Sequence, residues 1–371
     1  MSLVGRLTRA VEARWYGQPG LLRLLTPLEM LYTSVVSSRR RRLEPVDVGA
    51  PVLVVGNLTV GGVGKTPLVI ALVKALQASG LRPGVVSRGY GRQDRAATTQ
   101  VSASSTPEQV GDEPLLIFEQ CRCPVVVGTD RVAAAQTLLS TNDCNVVVSD
   151  DGLQHYRLHR HVNIVVVDSR RGFGNGRCLP VGPLREPVCA AFKKDFLIQN
   201  GHSKVPPPND VVYERAVRQY WTHAHVSQLQ TLGLRNLITG EIRPVSALSD
   251  LMPFTAVAAI GHPQRFFLTL KQALARGCAA EDGREKAFAS CRYPDHHRFV
   301  AKDFIGLAHS AVVMTAKDAV KCRAFAKPDW WCLDVEASLP KAVIEPVLET
   351  LADLLAQYAA KPTATQSSTE Q

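Results

Sequence analysis

A glycine-rich loop between an apolar run and an apolar helix constrains this chain more than any other feature. The segment 54–67 reads VVGNLTVGGVGKTP, and Lys65 and Thr66 open the helix. Glycines remove Cβ atoms, so successive N–H groups can converge on phosphate oxygens at the positive end of that helix. Lys65 would reach the β- and γ-phosphates of a nucleotide, and the Thr66 hydroxyl would ligate Mg²⁺. The segment therefore predicts a phosphate-binding loop.

The loop departs from the G-x-x-x-x-G-K-[ST] pattern at its first position, where Thr59 replaces glycine. Gly61, Gly62 and Gly64 still give the loop backbone freedom. An ordinary glycine-rich turn before a buried helix is the alternative. The position of the Gly-Lys-Thr triplet, between a predicted strand and a predicted helix, favours nucleotide binding.

Short runs of valine and isoleucine predict the fold. These runs lie at residues 52–55, 85–86, 125–127, 146–148, 164–167, 256–260 and 312–314. Because they are continuous rather than alternating, they indicate strands covered on both faces, as in parallel sheets. The length of 371 residues suggests two domains. We expect an α/β fold of the P-loop NTPase type, with a mostly parallel sheet flanked by helices.

Two acids end one of these predicted strands. The segment 145–152 reads NVVVSDDG, which is the form of a Walker B element. A carboxylate at this strand end can hold Mg²⁺ opposite Thr66, so Asp150 and Asp151 are candidate metal ligands. A simple Asp-Gly turn would explain Asp151 and Gly152 but not the second acid.

Several shorter motifs are unspecific when read singly. The segment 87–92 (SRGYGR) follows a strand, where parallel sheets usually bind ligands. The segments 111–114 (GDEP) and 128–131 (GTDR) also suit exposed turns. The segment 293–297 (YPDHH) suits a metal cluster, a general-base assembly or a surface loop. Zinc is the weakest of these readings because no cysteine or second histidine pair lies at ligand spacing nearby.

The positive charge is concentrated at one end of the chain. Residues 1–43 hold eight arginines against two glutamates, which is +6 of the formal +10. A nucleic-acid surface would need cations spread along a face with aromatic partners, so we expect no nucleic-acid partner. Attraction to anionic lipid fits better. The nine cysteines, an odd number without C-x-x-C pairs, indicate reduced thiols in a cytosolic compartment.

The same end predicts an amphipathic helix over residues 2–16. Its apolar residues recur at helical spacing: Leu3, Val4, Leu7, Val11 and Trp15. A second apolar stretch at 21–32 is followed by four arginines at 39–42. Neither stretch is long enough to span a bilayer. An interfacial anchor, a cleavable targeting peptide and a helix packed on the protein's own core remain open.

Taken in order, eight segments resemble the tetraacyldisaccharide 4′-kinase family, the lipid A kinases of Gram-negative bacteria. The matching segments are 14–17 (RWYG), 55–67 (VGNLTVGGVGKTP), 87–92 (SRGYGR), 111–114 (GDEP), 150–155 (DDGLQH), 179–187 (LPVGPLREP), 294–297 (PDHH) and 314–321 (MTAKDAVK). The resemblance covers nearly the whole chain up to residue 360. The chain departs from the family at Ala316, where glutamate is usual, and at His161, where aspartate is usual.

The resemblance implies the reaction and its setting. Such a protein phosphorylates the 4′-hydroxyl of a tetraacyldisaccharide 1-phosphate with ATP and Mg²⁺ and produces lipid IVA. It works as a monomer at the cytoplasmic face of the bacterial inner membrane, and its partners are the lipid disaccharide and the membrane surface. An interfacial anchor is thereby favoured over a transit peptide, because the segment 14–17 is itself family-like.

The resemblance also implies a division of the chain into a P-loop core and a smaller second α/β domain. The expected parts are a membrane-associating segment at 1–43, the kinase core at 44–190, the second domain with its linker at 191–335, a helix returning to the core at 336–360, and a disordered tail at 361–371.

Site residues follow from the same matches. Asp112 corresponds to the catalytic base, His296 to the histidine that pairs with it, and Lys65 to the phosphate-binding lysine. The sequence does not distinguish His296 from His297 as the partner of Asp112. Residues matching the ATP site are Thr59, Val60, Gly61, Gly62, Val63, Gly64, Lys65 and Thr66. Residues matching the substrate site are Tyr90, Arg88, Arg131, Gln154 and His155, and the metal ligands are Thr66, Asp150 and Asp151.

Two rival interpretations belong to other classes of protein. Dimeric P-loop regulators and metal-insertion GTPases have a similar loop, but they carry lysine where this chain has Val60, and the guanine-reading N-K-x-D motif is absent from the sequence. A peripheral lipid-binding protein that merely keeps a nucleotide loop is the other rival. ATP consumption that depends on a lipid disaccharide would separate it from a kinase.

Overall fold

The computed structural model describes residues 3–189, 195–201, 223–277, 288–307 and 310–360. The predicted tail at 361–371 and the predicted domain border at 190–191 lie outside these residues. Two β-sheets, each with helices, account for most of the described chain.

The first sheet has eight strands in the order β3-β4-β2-β5-β1-β6-β7-β8. Their bounds are β1 Val52–Gly56, β2 Pro83–Ser87, β3 Thr99–Gln100, β4 Val125–Val127, β5 Val146–Asp150, β6 Val162–Asp168, β7 Phe196–Asn200 and β8 His225–Ser227. Every neighbouring pair is parallel except the short β3 with β4. All five residues of β1 are buried, as the continuous valine run predicts.

Six helices precede or connect the strands of this sheet. Their bounds are α1 Leu3–Trp15, α2 Thr26–Arg42, α3 Lys65–Ala78, α4 Pro107–Val110, α5 Asp112–Cys121 and α6 Arg131–Thr141. A 3₁₀ segment, Gly20–Leu25, leads into α2. Because strands β1, β2 and β5 are parallel, the loops that follow them open at one edge of the sheet.

The second sheet has six strands in the order β10-β9-β14-β13-β11-β12. Their bounds are β9 Leu229–Asn236, β10 Ile242–Arg243, β11 Phe254–Ala258, β12 Ala289–Arg292, β13 Ala311–Thr315 and β14 Trp330–Ala337. Three helices accompany them: α7 Pro263–Gly277, α8 Ala316–Cys322 and α9 Lys341–Ala360. Strands β11 to β14 pair in parallel, whereas β9 runs antiparallel to both β10 and β14.

One hydrophobic core joins the two sheets. It runs from Leu72 of α3 and Ile117 of α5 to Trp330 of β14, and it includes Val343 and Leu351 of α9. Helices α3 and α5 therefore lie between the sheets. The first sheet with helices α1 to α6 is the first lobe, and the second sheet with helices α7 and α8 is the second lobe. Helix α9 packs against the first lobe. This shared packing fixes the edge of one sheet against the loops of the other.

Helix α2 is attached to the first lobe by one of its faces. Glu29 is buried and accepts hydrogen bonds from the Arg177 guanidinium (Nη2 to Oε2, 2.6 Å) and from the Cys178 N–H (2.7 Å). The Tyr32 hydroxyl donates to the Arg185 carbonyl (2.9 Å). A buried carboxylate with two charge-assisted partners is costly to separate, so α2 holds a defined orientation on the lobe.

The prediction of a mostly parallel α/β fold is confirmed, and each predicted valine or isoleucine run contains or overlaps a strand. The antiparallel hairpin of β9 and β10 lacks such runs and was not predicted. In the described ranges no helix is long and apolar enough to cross a membrane. The eight cysteines within those ranges carry free thiols.

Candidate active site

Side-chain hydrogen bonds help to hold the loop between β1 and α3 in its conformation. Asn57, directly after β1, donates to the Thr59 carbonyl (2.7 Å), and its Oδ1 accepts from the Lys65 ammonium (2.9 Å). A methyl group at Gly61 or Gly62 would meet no atom within 4 Å. The crest of the loop is therefore open to a ligand.

The far end of the loop leans on the end of β7. The Asn200 amide donates to the Val63 carbonyl (2.8 Å), and a Cβ atom at Gly64 would collide with that amide. Gly64 also has a φ of 78°, in the left-handed region. Only glycine combines this conformation with the close approach of Asn200.

The backbone amides of the loop fit phosphate oxygens. The Val60 N–H donates to the Pro183 carbonyl (2.8 Å), so it is already engaged. Across the described chain, the N–H groups of residues 61–64 meet no protein acceptor, and they precede the N-terminus of α3. Consecutive donors at a helix N-terminus are the arrangement that binds a nucleotide phosphate.

Two carboxylates at the end of β5 have opposite ionisation behaviour. Asp150 is fully buried, and burial raises the pKa of its carboxyl to about 7. Burial opposes ionisation of Asp151 as well, but the Lys65 and Arg185 cations, each 3.2 Å from one of its oxygens, lower its pKa to about 2. Asp151 is therefore the permanent anion of the pair.

The donor set fits Mg²⁺. Asp150 Oδ2 accepts from the Ser87 hydroxyl (3.0 Å), while its Oδ1 is buried and lacks a hydrogen-bond partner among the described residues. No group of three or more His, Cys, Asp or Glu side chains in the described ranges is placed to hold a metal by itself. Mg²⁺ at nucleotide sites needs only one or two carboxylates, because phosphate and water complete its shell. Asp150, Asp151 and Thr66 are therefore the candidates for that role.

Asp112 and His296 meet at the junction of the two lobes. Asp112 is the buried first residue of α5, and His296 follows β12. Nδ1 of His296 lies 3.0 Å from Oδ2 and 3.2 Å from Oδ1 of Asp112. Burial disfavours the ionised carboxyl, but the His296 hydrogen bond and the Lys317 charge lower the Asp112 pKa overall. His297 pairs instead with Asp303 (3.0 Å).

The second lobe also approaches the phosphate-binding loop. A Cβ atom at Gly261, which follows β11, would lie 3.3 Å from Oδ2 of Asp295 and 3.7 Å from the Gly62 nitrogen. On the other side, the charge of Glu113 raises the pKa of Asp150, after burial. The Asp112–His296 pair, the acidic strand end and the loop therefore lie next to one another at the junction of the two lobes.

The predicted substrate residues fall at different depths. Tyr90 is exposed, with its ring centroid 4.7 Å from that of His296, and Arg88 is exposed beside it. Gln154 donates to the Asn57 carbonyl (3.3 Å) and to Glu186 (2.9 Å). Tyr90 therefore lies beside the Asp112–His296 pair, the dyad, and Gln154 lies beside the loop between β1 and α3.

Arg131 and His155 lie deeper. Arg131 is only 2% exposed, and its guanidinium donates to the Gly128 carbonyl. Burial lowers its pKa to about 10, against the opposing charges of Asp150 and Asp151. Burial, followed by the Arg131 charge, lowers the His155 pKa to about 4, so this imidazole is neutral at pH 7. Arg131 therefore lies close enough to Asp150 and Asp151 for their charges to act on it.

Four polar residues of the site were not singled out from the sequence. They are Asn57, which holds Lys65; Arg185, which pairs with Asp151; Asn200, which holds the loop; and Lys317, whose ammonium lies 3.3 Å from Nε2 of His296. Asn57, Arg185 and Lys317 lie in segments that resemble the family, so the sequence could have pointed to these three residues. Asn200 lies at a strand end that no motif marks.

The assembled groups suit phosphoryl transfer. Open amides and a lysine can hold a triphosphate, carboxylates can hold its cation, and a carboxylate–imidazole pair can take a proton from a hydroxyl. No covalent intermediate is needed for such a reaction, because positioning and charge stabilisation carry it.

Comparison with known proteins finds a matching family and several relatives of this chain. The family model described as Tetraacyldisaccharide-1-P 4'-kinase matches residues 21–352. The chain is 42% identical over 342 residues to the tetraacyldisaccharide 4'-kinase of Pseudomonas fluorescens, covering 91% of this chain and 93% of that protein. It is 42% identical over 359 residues to the enzyme of the same name from Hahella chejuensis, covering 93% and 97%.

A solved structure is similar as well. It is the crystal structure of LpxK from Aquifex aeolicus, described as an "apo" form in complex with ATP. The TM-score is 0.69 at 26% sequence identity, and the match covers 90% of this chain and 99% of that one.

Proposed function

The chain belongs to the tetraacyldisaccharide-1-P 4'-kinase family, and we propose that it transfers the γ-phosphoryl group of ATP to the 4′-hydroxyl of a tetraacyldisaccharide 1-phosphate, giving lipid IVA. One observation carries the proposal beyond family membership. The Asp112–His296 pair, held at 3.0 Å, lies at the same junction of the lobes as the phosphate-binding loop. A base beside a phosphate site is what transfer to a hydroxyl requires.

The phosphate-binding loop would hold ATP through backbone donors and one cation. The N–H groups of residues 61–64 are available to phosphate oxygens, and the Lys65 ammonium is held beside the loop by Asn57 and Asp151. Thr66, Asp150 and Asp151 would hold Mg²⁺, which when bound neutralises charge on the β- and γ-phosphate oxygens. Lys65 would orient the phosphoryl group for in-line attack, and the carboxylates would contribute only by holding the cation.

Asp112 would act as the general base. As the 4′-oxygen bonds to the γ-phosphorus, the bond from that phosphorus to the β,γ-bridging oxygen breaks, ADP leaves, and the hydroxyl proton passes to an Asp112 oxygen. The lowered Asp112 pKa keeps the carboxyl ionised and ready to accept. His296 donates to this carboxylate and fixes its orientation.

Residues around the dyad would position the sugar. Tyr90 and Arg88 are exposed, with the Tyr90 ring against His296, and Gln154 and His155 follow the acidic strand end. A neutral His155 can donate or accept a hydrogen bond to a sugar hydroxyl without adding charge. Arg131 acts beneath them on Asp150 and Asp151.

The N-terminal elements would rest on the cytoplasmic face of the inner membrane. On the side of α2 and its preceding turn away from Glu29, large apolar side chains are exposed at helical spacing: Leu21, Leu24, Leu28, Leu31 and Val35. Four arginines at 39–42 end α2 and suit anionic headgroups. Because one chain supplies every proposed catalytic group, a monomer suffices.

The direct test supplies both substrates. Purified protein is incubated with Mg-ATP and a tetraacyldisaccharide 1-phosphate, and the lipid is examined by mass spectrometry. We expect one added phosphoryl group, and none with the 4′-deoxy disaccharide. ATP turnover that ignores the lipid, with no bis-phosphorylated product, would favour the rival lipid-binding interpretation instead.

A further inference from the structure

A second charged residue contacts the catalytic imidazole from the side opposite Asp112. Nζ of Lys317, in the first turn of α8, lies 3.3 Å from Nε2 of His296. The same ammonium lies 2.9 Å from Glu113, 3.6 Å from Asp295 and 3.9 Å from Asp112. Its side chain is 16% exposed. His296 is therefore held between a carboxylate at Nδ1 and an ammonium at Nε2.

The two contacts select one protonation state of the imidazole. An ammonium has three donors and no acceptor, so it can bond to Nε2 only through that atom's lone pair. The single proton of a neutral His296 must then sit on Nδ1, facing the Asp112 carboxylate. The opposite tautomer would place an N–H against the ammonium and a lone pair against the carboxylate.

We propose that Lys317 is a positioning residue for phosphoryl transfer: by donating to Nε2 it keeps the proton of the neutral His296 on Nδ1, so that the imidazole donates to Asp112 and leaves this carboxylate oriented and able to accept the hydroxyl proton. The inference rests on the proposed function and adds a residue to its machinery. Lys317 need not touch either substrate for this role.

Neighbouring charges keep Lys317 protonated and in place. Burial favours the neutral amine, but the Glu113, Asp112 and Asp295 carboxylates raise the Lys317 pKa overall. Its helix is fixed by Asp318, which is buried and accepts from the Ala259 N–H (3.0 Å) and the Thr315 hydroxyl (2.7 Å).

The groups that face the dyad determine how the pKa values of Asp112 and His296 respond to a substitution nearby. They are Glu113 on α5, Asp295 beside His296, Lys317, Asp318 and Lys321 on α8, and the Tyr90 ring. Lys321 lies 4.0 Å from Asp112 but bonds closely to Asp318 (2.6 Å). Lys317 is thus the cation in contact with the imidazole itself.

Removing the Lys317 charge should raise the pKa of both His296 and Asp112, because a nearby cation disfavours protonation of each. A second proton on His296 turns it into an imidazolium and reduces the basicity of Asp112. We expect Lys317→Met to move the acidic limb of the kcat/KM profile to higher pH by about 1 unit. The KM for ATP should stay unchanged.

The first test is a pH profile of four proteins. Wild type, Lys317→Met, Lys317→Arg and Lys74→Met are assayed with Mg-ATP and the lipid disaccharide. Lys74 on α3 is the matched control, because it is also a lysine paired with a carboxylate: its ammonium lies 3.5 Å from Glu336. Lys317→Arg and Lys74→Met should keep the wild-type limb. A Lys317→Met enzyme that loses kcat equally at every pH, with its limb unmoved, would overturn the proposal.

The second test does not depend on turnover. Long-range ¹H–¹⁵N spectra of ¹⁵N-histidine-labelled protein report the tautomer of His296, with His296→Asn identifying its signals. We expect the Nδ1-protonated tautomer in wild type and its loss in Lys317→Met. An Nε2-protonated imidazole in wild type would contradict the inference even if Lys317→Met fails to fold. The expected tautomer in a protein without kinase activity would instead leave the positioning intact and reject the proposed function.

Discussion

Nδ1 of His296 lies 3.0 Å from Oδ2 of Asp112 although 184 positions separate the two residues in the chain. Asp112 begins a helix of the first lobe, and His296 follows a strand of the second. The hydrogen bond therefore exists only when the lobes are packed together. The packing of α3 and α5 against the second sheet is what sets the distance between Asp112 and His296.

Replacing the base should remove catalysis and spare the fold. We predict that Asp112→Asn lowers kcat by about 10²- to 10⁴-fold, the usual contribution of a general base. The matched control is Asp303→Asn, which removes the neighbouring His297–Asp303 pair (3.0 Å). Steady-state kinetics with circular dichroism on both variants make the comparison. Near-wild-type kcat in a folded Asp112→Asn protein would exclude Asp112 as the base.

Lys65 should matter more to the transition state than to the protein's stability. We predict that Lys65→Met lowers kcat by about 10²- to 10³-fold, as expected when a donor to developing charge is lost. Arg185 remains to pair with Asp151, so the melting temperature should change little. Single-turnover phosphoryl transfer at saturating ATP measures the effect. An unchanged rate would mean that Lys65 does not contribute to phosphoryl transfer and only forms contacts within the unliganded protein.

Gly64 should be intolerant of a side chain for two separable reasons. Gly64→Ala places a methyl group at a φ of 78° and against the Asn200 amide. Gly240→Ala imposes a similar φ of 71° with no atom within 4 Å. We predict a loss of about 1–3 kcal/mol of stability at Gly240 from strain alone, and a larger loss at Gly64, read from thermal unfolding.

Shortening the neighbour tests the contact part of that prediction. Asn200→Ala in the Gly64→Ala background should recover part of the lost stability, since the clash is removed and the strain is not. Strict additivity of the two substitutions would show that Asn200 does not limit the space at Gly64.

The contribution of the dyad to stability should depend on pH. Burial favours neutral His296, but its bond to Asp112 raises its pKa above 6.5, so this contribution is complete below pH 6.5 and lost as the pH rises through the raised pKa. The Asp112 pKa is lowered below 3.8, so its contribution is present above pH 3.8 and lost as the pH falls through that lowered value.

The two windows overlap between pH 3.8 and pH 6.5. We predict that the melting temperature of wild type exceeds that of His296→Gln by the largest margin in this window and by less in alkaline solution. Thermal unfolding at a series of pH values measures the margin. A margin that does not vary with pH would mean that the pair adds no linked ionisation.

The exposed apolar side of α2 should govern membrane binding. We predict that Leu28→Glu with Leu31→Glu releases the protein from anionic vesicles, since both side chains are more than half exposed and face away from Glu29. Ile242→Glu, at an even more exposed residue in the second lobe, is the control and should bind normally. Vesicle sedimentation measures binding. Equal retention of all three proteins would argue against this surface as the anchor.

The sequence predicted what short-range physics controls. Continuous valine runs located the buried parallel strands, and strand-end chemistry located Lys65, Asp150 and Asp151. The pairing of Asp112 with His296 depends on how two lobes pack, which no local pattern encodes, so it came only from family resemblance. Which of His296 and His297 contacts Asp112 depends on the backbone conformation at this point. His296 has a φ of 58°, and the next residue, His297, pairs with Asp303 instead.

The remaining misses have a common cause. Asn57, Asn200 and Lys317 act through side-chain hydrogen bonds to loop or side-chain atoms, and such contacts leave no periodic signal. The departure at Ala316 is accommodated, because this residue is buried in the shared core beside Lys317. His161 accepts a hydrogen bond from the Val52 N–H (3.0 Å), well placed to support β1 rather than chemistry.

The position of the new phosphate on the lipid tests the account most directly. After incubation with Mg-ATP and a tetraacyldisaccharide 1-phosphate, ³¹P–¹H correlation spectra of the purified product identify the carbon that carries the added group. We predict a correlation to the proton on carbon 4′, formed by wild type and lost in Asp112→Asn. Phosphate on any other hydroxyl, or no phosphorylated lipid from folded wild-type protein, would contradict the account.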